Sequence, residues 1–122
     1  MSKRPPLDAT ALAQFTGSER YYRHPFVNGI TFTEGAKYVA DTAGAYWLLD
    51  EIALANRFEL AVMTELFQVW DLIVSDDCSA SLVCGDGDRA EIYTKRIEWT
   101  DFPFPGIRFY FCYGCIHLPS EY

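Results

Sequence analysis

Near residue 66 the apolar residues of this chain change their period, and that change constrains the fold more than any other feature. Upstream, Ala45, Leu48, Leu49 and Ile52 fall at i, i+3, i+4 and i+7, the stripe of a core-facing helix. Tyr46, Trp47, Ala53 and Leu54 make most of the remaining surface apolar too, so residues 43–56 are expected to form a central helix covered on more than one side. Downstream, Phe67-Gln68-Val69-Trp70-Asp71-Leu72-Ile73-Val74 repeats every second residue, as a half-buried strand does. Helices first and antiparallel strands afterwards predict an α+β fold. Its N-terminal helices pack on one face of a four- to five-stranded antiparallel sheet formed by the C-terminal half.

Local signals mark the other elements. A short helix is expected from residue 7 or 8 to about Phe15, stopped by Thr16-Gly17. Thr33 can cap a helix over residues 34–41, with Glu34 near the positive end of its dipole. Residues 18–30 show no sustained period, and Pro25 forbids a helix through them, so they read as a loop. Strands are expected over 67–74, 79–84 and 89–99, the last two joined by the Asp-Gly turn at Gly85-Asp86-Gly87-Asp88. Pro103 and Pro105 then interrupt, since neither can donate to a ladder. A two-residue turn at Tyr113-Gly114 sets Cys112 opposite Cys115, Phe111 opposite Ile116 and Tyr110 opposite His117. That register collects Phe109, Phe111, Ile116 and Leu118 on one face, and a one-residue slip would scatter them.

With 122 residues and half of them hydrophobic, the chain is expected to fold as one domain over 1–122, with 1–6 a flexible tail. Its net charge of −7 is uneven: five basic and three acidic residues over 1–37 give +2, and five basic against fourteen acidic over 38–122 give −9. Such a balance argues against nucleic acid or an anionic membrane as a direct partner. No apolar run follows the basic residues at the start, and none reaches a membrane span, so a cytoplasmic location is expected, with the four cysteines as thiols. Carboxylates in rows could mimic a phosphate backbone, but the hairpin map separates Asp76 and Asp77 from Asp86 and Asp88 by ~20 Å. Solubility is the simpler account of the charge.

The densest polar cluster is Tyr21-Tyr22-Arg23-His24-Pro25. His24 could act as a general base and Arg23 as an anion clamp, with Tyr22 and Asp101 around the same pocket. No motif sets a nucleophile beside them, so a small enzyme is the second reading, behind a structured loop whose tyrosines close over the core. Cys112-x-x-Cys115 with Cys78 and Cys84 could hold a zinc ion, which makes a Cys-based metal domain the third. Five residues and a strand separate Cys78 from Cys84, so packing as small strand residues is the expectation, with no cofactor. His117, the other histidine, reads as a satisfied surface residue. GxSxG, GxGxxG and the P-loop pattern are all absent.

A set of segments carries a resemblance. They are Phe15-Thr16-Gly17, Tyr21-Tyr22-Arg23-His24, Thr33-Glu34-Gly35, the run from Gly44 to Ala53, Phe67-Gln68-Val69-Trp70, Thr100-Asp101-Phe102-Pro103 and Leu118-Pro119-Ser120-Glu121-Tyr122. Together they resemble a small bacterial family of about this length found on plasmids, phages and other mobile elements. The resemblance brings no catalytic residues. It implies a mobile-element accessory or counter-defence role, anti-CRISPR-like inhibition included. The first expectation is therefore a non-enzymatic protein acting by protein–protein contact, with a partner protein or as a homodimer. Its contact surface is expected to include Tyr21, Tyr22, Arg23 and His24 of the 19–26 loop, Asp101, and Glu121 and Tyr122.

Overall fold

The structure is a computed structural model that describes residues 8–15, 20–88 and 90–122. The expected tail at 1–6, the Thr16-Gly17 stop and the start of a strand at Arg89 lie outside these residues. Four helices precede most of the sheet: α1 (Ala9–Ala13), α2 (Glu34–Ala43), α3 (Tyr46–Phe58) and α4 (Leu60–Met63). The strands are β1 (Tyr21–Arg23), β2 (Thr31–Thr33), β3 (Phe67–Val74), β4 (Ala80–Gly85), β5 (Glu91–Ile97), β6 (Gly106–Cys112) and β7 (Cys115–His117). A 3-10 turn over Pro119–Glu121 closes the chain.

The helix ends follow the local chemistry. Asp8 caps α1 by accepting from the Thr10 amide, and Thr33 caps α2 by accepting from the Ala36 amide at 3.2 Å. α2 ends at Gly44 with φ of 62°, the left-handed conformation that glycine adopts without strain. α3 buries the expected Leu48, Leu49 and Ile52. One core joins them to Phe32, Trp70, Leu72, Leu82, Phe109 and Ile116, which face the helices from the sheet. Along β4 the buried Ala80, Leu82 and Cys84 alternate with half-buried Ser81, Val83 and Gly85, as a sheet with one covered face requires.

The sheet has seven strands in the order β1-β2-β7-β6-β3-β4-β5, not four to five, and it is mixed, because β2 runs parallel to β7. The two added strands are Tyr21–Arg23, within the expected loop, and Thr31–Thr33, which ends on the expected cap. Three residues are too few to display a period of two, and β2 finds its partner more than eighty positions away, where no local signal reaches. The closing hairpin has the expected register, Cys112 opposite Cys115 and Tyr110 opposite His117. Tyr113 and Gly114 take φ of 52° and 73°, the pair of positive angles a two-residue turn needs.

A polar network sits inside this core. Gln68 is buried on β3 and donates to the carbonyls of Val62 and Glu65 and to Asn56 Oδ1, while its Oε1 accepts from Asn56 Nδ2 and from Trp70 Nε1 at 2.8 Å. These bonds tie the end of α3, α4 and the start of β3 together. No described helix is long and apolar enough to cross a membrane.

Candidate functional site

The residues singled out by sequence separate into three places. β1 alternates its side chains, so Tyr22 turns toward the helices, where it stacks on Phe32 with ring centroids 5.7 Å apart and lies under the Lys37 ammonium. Tyr21 points to the outer face and is exposed. Arg23 closes the strand in an exposed position.

His24 is buried and both ring nitrogens are engaged. Nδ1 accepts from the amides of Phe26 and Val27 at 3.1 and 3.2 Å, so the ring proton sits on Nε2 and is donated to Asp50 Oδ1 at 2.8 Å. The backbone of the same residue donates to the Ile30 carbonyl. His24 thus holds the 24–30 loop closed and ties it to α3, with no ring nitrogen left to take a proton from a substrate.

Asp101 is nowhere near it. Its loop is fastened to the β3–β4 turn by the Thr100 amide donating to the Cys78 carbonyl. That turn lies at the opposite end of the sheet and several strands away, a separation on the order of 20 Å. The four cysteines do not converge either. Cys84 faces the helices, Cys78 is in the β3–β4 turn, and Cys112 and Cys115 flank the β6–β7 turn at the other end. Among the described residues, no group of three or more His, Cys, Asp or Glu is placed to hold a metal ion.

Tyr21, Glu121 and Tyr122 do come together. They line an outer-face cleft of about 450 Å³ with Cys112, Cys115 and His117. The last residues reach it because Glu121 acts as a clamp. Its Oε1 accepts from the Thr33 hydroxyl at 2.6 Å and the Leu118 amide at 2.9 Å, and its Oε2 accepts from the Gly35 amide at 3.2 Å, in the first turn of α2. The clamp lays the Tyr122 ring flat on His117, with an interplanar angle of 8°, and against Tyr110 and Phe67 with centroids 5.4 Å away. His117 is consequently buried, not at the surface as expected, and its Nδ1 donates to the Cys115 carbonyl.

A second cleft, of about 360 Å³, lies beside the first and shares Cys112, Tyr113 and Tyr122 with it. Its other walls include Met63, Leu66 and Phe67. The two clefts meet at the β6–β7 turn, where Tyr113 projects fully into solvent. A third, of about 410 Å³, runs over β3, β4 and β6, and there the Arg108 guanidinium is occupied by a two-point pair with Asp71 at 2.8 and 3.0 Å.

The chemistry of the two joined clefts is that of contact. Burial pushes the thiols of Cys112 and Cys115 up. For Cys115 the Thr31 hydroxyl opposes that shift, while Glu121 and Cys112 add to it. Both stay protonated at neutral pH and lack the thiolate a nucleophile needs. What the surface offers is tyrosine, leucine and methionine around shallow concavities. Tyr21, Glu121 and Tyr122 are among the residues expected from the sequence, whereas Met63, Leu66 and Tyr113 are not. An apolar Leu-Ala-Val-Met followed by Leu66 was the available signal, and it reads equally well as core.

The profile of one protein family, described as a family of unknown function (DUF6876), matches residues 7–122. No curated protein and no solved structure matches the chain.

Proposed function

Since the chain belongs to this family of unknown function, we propose from its surface that it works by binding another protein, through the end of the sheet that carries the β6–β7 turn. The observation that carries this reading is the cluster of exposed Tyr21, Leu66, Tyr113 and Tyr122 around two clefts that meet at one turn. Tyrosine is enriched in interface centres because it buries a large area while ordering few bonds, and methionine because its flexible thioether adapts to the surface it meets. The rigid two-residue turn presents Tyr113 at little further entropic cost. The mobile-element character of the proteins it resembles supports an accessory role, including inhibition of a host defence enzyme such as a CRISPR nuclease. Binding would take place in the cytoplasm, without direct contact to nucleic acid.

A photo-crosslinking residue placed at Tyr113, in cells of the source organism, tests the reading. The same residue at Asp76, exposed at the far end of the sheet, is the control. A discrete protein adduct at 113 that is absent at 76 is expected. Equal labelling at both positions overturns the proposal.

A further inference from the structure

Exposed apolar residues gather at this end, on α4, on the residues flanking it in the chain and on the β6–β7 turn. α4 buries Val62 and turns Leu60 and Met63 outward, 71% and 43% exposed, and Leu66 follows at 86%. Phe58, at the end of α3, is 70% exposed. With Tyr113 these five residues expose on the order of 600 Å², the upper limit for the largest apolar patch of an ordinary monomer. Met63, Leu66 and Tyr113 give it a concave centre, since they line one cleft.

Its rim is acidic. Glu59 and Glu65 bracket α4 in the chain. The β4–β5 turn, with Asp86, Asp88 and then Glu91, lies at the same end, because Gly85 pairs with Val69 two residues from the start of β3. Described basic residues at this end are fewer: Arg57, which stacks on Phe58 with its guanidinium 5.8 Å from the ring, and Arg23, at the β1 edge of the sheet.

Resting on the binding reading above, we infer that the occupant of this surface is a basic amphipathic helix of the partner protein. Its apolar stripe would lie over Leu60, Met63, Leu66 and Tyr113, and its flanking Lys and Arg would face Glu59, Glu65, Asp86 and Asp88. Charge chooses this occupant. A second copy would bring the same carboxylates face to face across a two-fold axis, between molecules that each carry −7. An anionic membrane meets the same repulsion.

The probe is a synthetic amphipathic Leu/Lys peptide of about fourteen residues, long enough to form a helix on a surface. It is titrated into the full chain beside a Leu/Glu peptide of the same pattern and an oligolysine. The Leu/Lys peptide alone is expected to bind at physiological ionic strength. Met63→Ser with Leu66→Ser, both at exposed positions, should weaken it about tenfold. Glu59→Gln with Glu65→Gln should remove much of its salt dependence. Equal binding of the Leu/Glu peptide, equal binding of oligolysine, or no binding at all each overturns the inference. A wild-type dimer that Met63→Ser/Leu66→Ser dissociates in sedimentation assigns the surface to a second copy and overturns it as well. The crosslink at position 113 reports separately, so loss of the basic helix is distinguishable from loss of the binding reading.

Discussion

His24 Nε2 lies 2.8 Å from Asp50 Oδ1, and this bond joins the loop between β1 and β2 to the middle of α3. It turns the densest polar cluster of the sequence into a structural fastening. The buried ring satisfies two amides with one nitrogen and, with the other, the half-exposed Asp50 carboxylate.

His24→Ala is therefore expected to destabilise the fold by about 2–4 kcal/mol, because it strands two amide donors and opens a cavity, while the half-exposed Asp50 carboxylate turns to water. Asp50→Asn should cost less, about 1 kcal/mol, since an amide oxygen still accepts from Nε2. Urea denaturation followed by tryptophan fluorescence measures both. Equal midpoints for wild type and His24→Ala would refute the fastening.

Gly35 and Glu121 set a second test. A Cβ on Gly35 would stand 2.6 Å from Glu121 Oε1 and 2.8 Å from Leu118 Cδ1. Alanine is a better helix former than glycine by about 1 kcal/mol. Gly35→Ala should nevertheless lower stability and expose residues 118–122, because the carboxylate that caps α2 must move. Glu121→Gln should loosen the same segment without a clash. Faster hydrogen exchange at 118–122 in both variants is the expected result, and unchanged protection in Gly35→Ala would show that no clamp exists.

The cysteines give a chemical readout. Burial, with Glu65 adding, pushes the Cys84 thiol up to about 12, whereas Cys78 is exposed in a turn. At pH 8 iodoacetamide should modify Cys78 first, Cys112 and Cys115 more slowly, and Cys84 only after denaturation. Peptide mass spectrometry over time measures the order, and early labelling of Cys84 would place it outside the core.

Much of the fold was legible because its signals are local. The stripe in α3, the Thr33 cap, the strand at 67–74 and the closing hairpin each rest on residues a few positions apart. Gln68 shows the limit. In sequence it is, with Asp71, one of two polar residues in an otherwise apolar strand, and only the fold supplies Asn56, the Val62 carbonyl and Trp70 as its partners.

The sequence by itself determined the helix-then-strand order, the helical stripe, the hairpin register, and the absence of nucleotide-binding and serine-hydrolase motifs. Tertiary structure alone decided that residues 21–33 extend the sheet, that β2 runs parallel to β7, and that Tyr21 and Tyr122 share a cleft while Tyr22 and His24 do not. The reason is physical. Side-chain period and capping act over one or two turns of chain, and their energies are set by neighbours in sequence. A parallel pairing, a clamp such as Glu121 on Thr33 and an exposed apolar surface arise from residues dozens of positions apart, whose meeting depends on the whole packing.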